Sequence, residues 1–452
     1  MGSIVGPNVE TWWNVTDVDQ GTFGTSFATI ATNNFSNFSI AGGTAKDVFI
    51  FEYAPGGAPS PEVGQVTGGV DGGTGGNNIL VGSTGGDIFT ITNINNVTVD
   101  IGGVPAVSNL STILTNITSI DSTAEGNVTD VTADTFNVNS IWGATGGATD
   151  GSIIAGNLND TFNINQNVLG SLTGGDGNDN FTFTDTRTVG GTLTGGAGTD
   201  IINWNAYTAA RTVVLTASVA DGYSGTEASI TGGFDTIDDI RGSTAATTNS
   251  LTAENTVNAW AITGVGAGTD TGSITETGVA LAFQEFETLN GGSMVDTFTI
   301  ADGANVSNTL DGNAGVDILD LSAYTTARSV VINATSTTNG FAGTEASITN
   351  GFSDISTINL PAGVGDTLQG ANFANTFAIN SGADLGTLTE NLNVLSFTGV
   401  NNLTGGTNTD DFTIASGATL SGNIIGGASA DSLTQTDGAN GWDITGTGAG
   451  TV

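Results

Sequence analysis

The feature that most constrains this chain is a turn-and-strand phrase, Gly-Gly-x-x-x-Asp-x-Φ-Thr with Φ apolar, that returns eight times with variations. It reads GGTAKDVFI from Gly42, GSTGGDIFT from Gly82, GGDGNDNFT from Gly174 and GGAGTDIIN from Gly195. It returns as GGSMVDTFT from Gly291, GNAGVDILD from Gly312, GGTNTDDFT from Gly405 and GGASADSLT from Gly426. A phrase repeated this often is a building unit, and a chain made of such units buries its apolar faces by stacking neighbours.

The spacing of the phrase sets the size of that unit. Asp179 and Asp200 are 21 residues apart, as are Asp296 and Asp317, and Asp410 and Asp431. About 20 residues is a workable contour for one coil of two or three short strands with turns. A longer period encloses the pairs. GGAGTDIINWNAYTAARTVVL from Gly195 matches GNAGVDILDLSAYTTARSVVI from Gly312, and YSGTEASITGGFDTI from Tyr223 matches FAGTEASITNGFSDI from Phe341. NAWAITG at Asn258 answers NTFAINS at Asn375, with shifts between copies of about 114 to 118 residues. The chain therefore divides into a partial unit with irregular rungs at 1–173, repeat units at 174–290 and 291–404, and a partial unit at 405–452. The last begins the Trp-x-Ile-Thr passage again at Trp442, as a segment of a longer repetitive protein or an end completed by a neighbour would.

Within the coils the pattern is strand. FTFT at Phe181, TFTI at Thr297 and DFTI at Asp411 alternate apolar and polar residues, a period of two with one face buried. VALAFQEFETL, at 279–289, has the most helical pattern, but its counterpart NVLSFTGVNNL at 393–403 does not, so both are read as strand and turn. Seventy Gly against 6 Pro suits many tight turns in a backbone whose N–H groups are nearly all needed for ladders. The expected fold is all-β, an elongated right-handed parallel β-solenoid; tandem Ig-like β-sandwiches are the alternative, since about 115 residues also fits one such domain.

Charge narrows the partners. Five Lys and Arg against 44 Asp and Glu, with no His, give a formal net charge of -39. Such a surface repels nucleic acid and anionic membranes. No stretch reaches the ~18–20 apolar residues of a membrane helix, and the opening lacks the basic-then-apolar order of a signal peptide. With neither His nor Cys, the commonest general base and the thiol nucleophile are missing. The acidic neighbours Asp238/Asp239 and Asp410/Asp411 point to opposite faces of a strand, so neither is a natural glycosidase dyad. Lys46, Arg187, Arg211, Arg241 and Arg328 are too few for an anionic-substrate cleft. Arg211 and Arg328 occupy matching places, with Glu227 and Glu345 as matching partners. The matched placement of Trp13, Trp260 and Trp442 favours packing over sugar platforms.

The phrase resembles the calcium-binding nonapeptide GGxGxDxUx of RTX proteins, and GGDGNDNFT from Gly174 and GGAGTDIIN from Gly195 match it at every defined position. Met294, Ala45 and Asn408 replace the third Gly elsewhere, and the copies do not run back to back as in RTX rolls. The longer unit is similar to the repeat arrays of giant bacterial adhesin-like and filamentous-haemagglutinin-like surface proteins. The resemblance implies an exported, extracellular or cell-surface stalk, filament or matrix component without catalysis. Its partners would be copies of itself or adjacent repeats end to end, and surface glycans if it is an adhesin. A β-helix polysaccharide-degrading enzyme is the other alternative. Calcium is the chemical candidate: a Gly-rich turn can offer carboxylate and carbonyl oxygens. The expected ligands are Asp176, Asp179, Asp200, Asp296 and Asp317. The competing reading gives each Asp side chain to backbone N–H groups. Asn-x-Ser/Thr sites at Asn14, Asn34, Asn37, Asn96, Asn116 and Asn127 are candidate glycan positions.

Overall fold

The computed structural model describes residues 133–142, 151–264, 270–336, 339–363 and 365–436, together with the strands outside those stretches and six side chains within them. Among the described residues the chain is all-β, with no helix, and its strands join a large, mostly parallel sheet that does not close on itself. Ig-like sandwiches pair their strands antiparallel, whereas most pairs here are parallel. The segment 279–289 is strand and turn, with strands Val279–Gln284 and Thr288–Asn290. The chain forms two compact units, Met1–Ala246 and Thr247–Val452, divided inside the 174–290 sequence repeat.

In the first unit, residues at equivalent places in successive coils lie side by side. One row runs Trp13, Phe49, Leu80, Ile120, Ile153, Leu172, Leu193 and Phe234, each paired in parallel with the next. A second runs Phe136, Phe162, Phe181, Ile202 and Ile240. Single bridges join Trp142, Val168, Val189 and Ile230 in a third. Strands Thr135–Val138, Thr161–Ile164 and Asn180–Phe183 bury alternate residues, so the period of two in the sequence is the inside–outside alternation of the pleat. The inward rings stack from coil to coil, with centroids 4.8 Å apart for Phe136 and Phe162 and 4.5 Å for Phe162 and Phe181. Such pairs add about 0.5–1.5 kcal/mol beyond area burial. Outward amides form ladders of their own: Asn163 Nδ2 donates to Asn137 Oδ1 at 2.9 Å, and Asn165 Nδ2 to Asn139 Oδ1 at 2.8 Å.

The second unit repeats the scheme. Leu251, Leu289, Leu310 and Phe352 make one row, and Trp260, Phe298, Leu319, Ile358 and Phe397 another. Val330, Leu368, Leu403 and Ile424 form a third, and Phe377, Phe412 and Leu433 a fourth.

Not every step is 21 residues, because some coils leave the ladder for an antiparallel excursion. Thr212–Val219, Gly222–Glu227 and Ile230–Ile237 form such a meander, and Ser329–Thr335, Phe341–Glu345 and Ile348–Asn359 form its counterpart. A second kind joins Asn258–Ile262, Thr271–Glu276 and Val279–Gln284, repeated in Thr376–Ile379, Leu385–Glu390 and Asn393–Thr398. These excursions account for the long units of the sequence: a 21-residue coil alternates with coils lengthened by a hairpin.

Candidate functional site: the aspartate ladder

Among the described residues, aspartates of the phrase and others like them stand at one corner of successive coils, and their carboxylates receive a backbone N–H from the coil before. Asp134 N–H donates to Asp160 Oδ1 at 2.6 Å, Asp160 N–H to Asp179 Oδ1 at 2.7 Å, and Asp179 N–H to Asp200 Oδ1 at 2.8 Å. Asp200 N–H continues to Asp238 Oδ2 at 2.9 Å. In the second unit Asp296 N–H donates to Asp317 Oδ1 at 2.8 Å, and Asp410 N–H to Asp431 Oδ1 at 3.0 Å. Where the accepting carboxyl is ionised, such a bond is about twice as strong as a neutral one. The side chain does bond backbone N–H, but across the coil boundary and not only within its own turn.

The glycines of the phrase follow from where the carboxylate lies. The first Gly lies directly under it: a Cβ on Gly174 would sit 2.0 Å from Asp179 Oδ2, and one on Gly291 2.5 Å from Asp296 Oδ2. The second Gly decides whether that oxygen is capped. Gly292 N–H donates to Asp296 Oδ2 and Gly406 N–H to Asp410 Oδ2, both at 2.7 Å. Gly175 and Gly196 instead have φ of 119° and 122°, and Gly196 N–H goes to Thr236 Oγ1 at 2.7 Å. At Asp317 the equivalent place is Asn313, with φ of 59°, whose N–H goes to Asp311 Oδ1. The Oδ2 atoms of Asp179, Asp200 and Asp317 are therefore buried with no hydrogen-bond partner.

The electrostatics divide the same way. Burial pushes Asp179 up to about 8, with Asp200, Asp160 and Asp176 adding like-charge repulsion against the N–H bond from Asp160. Burial raises Asp200 to about 7, helped by Asp238 and Asp221, and Asp317 to about 7, helped by Asp296, Asp354 and Asp311. The capped Asp296 is raised by burial only to about 6, because Asn258 and Gly292 donate to it.

Four of the five residues expected to bind calcium, Asp179, Asp200, Asp296 and Asp317, thus belong to the ladder in two separate units. Asp176 is exposed at the end of its strand and lies in register with Ala197. Among the described residues no group of three or more His, Cys, Asp or Glu side chains is gathered as a metal site.

The expected Arg–Glu pairs are formed. Arg211 Nη1 lies 3.0 Å from Glu227 Oε1, and Arg328 Nη2 pairs with Glu345 Oε1; all four side chains are largely buried. Each guanidinium also lies 4.0 Å from a tyrosine ring centroid, Tyr207 or Tyr324. The second carboxylate oxygen accepts Ser229 N–H or Ser347 N–H, both at 2.7 Å. This Tyr–Arg–Glu–Ser clamp fastens the first excursion of each long unit.

Trp13, Trp142, Trp204 and Trp260 are fully buried, so none of these is an exposed sugar platform. Asp239 pairs with Arg241 at 2.7 Å while Asp238 accepts from Asp200, and Asp410 is buried in the ladder while Asp411 is exposed at the surface. Neither acidic couple converges. Lys46, Trp442 and the asparagines Asn14, Asn34, Asn37, Asn96, Asn116 and Asn127 lie outside the described side chains. No described helix is long and apolar enough to cross a membrane.

Asp134 and Asp160 lie outside the eight copies of the phrase and were missed in the sequence, as were two asparagines of the ladder. Asn258 Nδ2 donates to Asp296 Oδ1 at 2.8 Å, and Asn375 N–H and Nδ2 donate to Asp410 Oδ1 at 2.9 and 2.6 Å. Their repetition 117 residues apart was the available signal. They escaped because the phrase was defined by Gly-Gly and Asp. No protein-family model matches the chain, and no curated protein matches it.

Proposed function

We propose that the chain is a structural stretch of an extracellular or cell-surface filament, stalk or matrix protein, coiled as a right-handed parallel β-solenoid and without catalysis. The observation that carries this reading is the use of the recurring residues. The phrase Asp, its two Gly, the inward rings and the Arg–Glu clamps all make coil-to-coil or excursion-to-coil contacts. Chemistry normally leaves polar groups converging on an open cleft, and here the most perturbed carboxyls are buried between layers. Partners of the same kind, further repeats or copies stacking coil on coil, would continue the parallel register that joins neighbouring strands. The acidic composition suits a well-hydrated exterior.

Electron microscopy of chains carrying one, two and three copies of 174–404 tests the reading. Particles of constant width whose length grows with copy number are expected. Beads joined by flexible links would overturn the solenoid. Release of reducing ends from a polysaccharide panel would overturn the non-catalytic role, and saturable binding on a glycan array would replace the structural role with adhesion.

A further inference from the structure

The second excursion of the long unit occurs twice in Thr247–Val452, and the two copies share three contacts at its base. In the later copy Asp366 N–H donates to Asn401 Oδ1 at 2.9 Å, Val400 N–H to the Asp384 carbonyl at 3.1 Å, and Ser421 N–H to Asp384 Oδ1 at 2.6 Å. In the earlier copy Asn249 N–H donates to Glu287 Oε2 at 2.6 Å, Phe286 N–H to the Asp270 carbonyl at 3.5 Å, and Ser307 N–H to Asp270 Oδ1 at 2.7 Å. Asn401 therefore stands where Glu287 stands, and Asp384 where Asp270 does.

Asp384 Oδ2 of the later copy has two further donors, of which Ser421 Oγ lies at 2.7 Å. Asn401 Nδ2 donates to Asp384 Oδ2 at 3.1 Å. In the earlier copy the donor amide is replaced by a second carboxyl oxygen, Glu287 Oε1, whose assigned bond is a long 3.3 Å one from Asn249 Nδ2. Asp270 Oδ2 is buried without a close donor, the Ser307 hydroxyl still helps to hold the Asp270 carboxyl down, and Asp270 and Glu287 are only 2% and 5% exposed. Two buried carboxylates facing each other are strongly unfavourable, whereas one proton between them restores the missing donor.

We infer that Glu287 and Asp270 form an internal proton-binding site, in which one proton on Glu287 Oε1 is donated to Asp270 Oδ2 and does the work of the Asn401 amide. The inference stands on the matched contacts and does not depend on the chain being a filament. The proton ties the coil that starts at Asn249 and Glu287 to the excursion strand Thr271–Glu276 that starts after Asp270. Its loss places two like charges at that junction.

The titratable groups acting on the pair are its own two carboxyls and Glu285, which Asp270 also raises. The only cation in the unit's sequence, Arg328, is engaged with Glu345. Burial is the main cause that raises Glu287, to about 6, and Asp270 adds to it; burial also raises Asp270. An unfolded Glu titrates near 4.3. A group raised on folding contributes its full stability below the unfolded value and loses it as pH rises through the folded one. The junction is therefore tight in acid and loosens between roughly pH 4 and 6, by up to about tenfold in the unfolding constant per pH unit.

The test follows urea unfolding of the whole chain by tryptophan fluorescence from pH 4 to 8, in the native sequence, Glu287→Gln and Asn401→Asp. Glu287→Gln supplies a permanent donor, so one proton's worth of pH dependence disappears. Asn401→Asp installs the same acid pair in the later copy, so one proton's worth is added. Parallel pH profiles for all three chains would overturn the inference. Infrared difference spectra of the folded native chain at pH 5 and 8 provide a readout independent of unfolding. A protonated-carboxyl C=O band present at pH 5, and reduced in any Glu287→Gln that folds, is expected. Asp179, Asp200 and Asp317 also contribute to that band, so a folded Glu287→Gln or Glu287→Asp whose band equals that of the native chain would overturn the inference.

Discussion

Replacing Gly291 with Ala asks whether the first Gly of the phrase is there for space rather than for flexibility. Its Cβ would lie 2.5 Å from Asp296 Oδ2 and 2.6 Å from the carbonyl oxygen of Gly312 in the next coil. Real Cβ contacts do not come that close, and the carbonyl is backbone, so the carboxylate must move. In moving it gives up bonds from Gly292 N–H at 2.7 Å and Asn258 Nδ2 at 2.8 Å. Hydrogen bonds to a charged group are worth about 1.5–3 kcal/mol each, so a loss of about 3–5 kcal/mol is expected. Gly278→Ala is the control: φ is 93° there, but nothing lies within 4 Å of the added Cβ. It carries only the left-handed penalty, about 1–2 kcal/mol. Urea unfolding can be read from Trp260, buried and stacked 5.3 Å from Phe298 of the adjoining coil, which carries Gly291. If Gly291→Ala costs no more than Gly278→Ala, the carboxylate does not need that space and the explanation of the phrase fails.

Other outcomes follow from the same contacts. Leu392 is 96% exposed with φ of 76°, in the hairpin turn whose counterpart holds Gly278, so Leu392→Gly should stabilise by about 1 kcal/mol, seen as a raised unfolding midpoint. Glu227→Ala leaves the buried Arg211 guanidinium without its carboxylate and should cost about 3–5 kcal/mol by the same assay; a loss under 1 kcal/mol would contradict the clamp. Asp179 and Asp200, raised to about 8 and 7 against about 3.9 in an unfolded chain, should make the native chain most stable in acid and progressively weaker as pH rises toward 8. Asp200→Asn should flatten that dependence in midpoints measured across the range, since an amide keeps an acceptor for Asp179 N–H and carries no charge.

Much of the architecture was legible because stacking imposes itself on composition. The 21-residue spacing of Asp179 and Asp200 is the step between strands paired in parallel, and the alternation in FTFT at Phe181 is the pleat of its strand. The Arg–Glu pairs could be read as well, because Arg211 and Arg328 recur together with Glu227 and Glu345. Other features depended on neighbours that the linear order does not place. The phrase leaves open whether its Asp meets a cation or a backbone N–H. The preceding coil supplies a backbone N–H to one oxygen of the carboxylate. Asn258 and Asn375 share this role without sharing the phrase.

The sequence alone determined what must repeat: the coil length, the buried alternation, and the absence of side chains over the carboxylate corner, since these are set by residue type and spacing. Only the tertiary structure decided which aspartates are capped. Capping turns on the φ of the residue four before each one, ordinary at Gly292 but 122° at Gly196. It also turns on whether the coil alongside offers a donor or an acceptor to the remaining oxygen. A glycine permits both backbone choices, so the choice, and with it the charge of each buried acid, is made by the layer stacked against it.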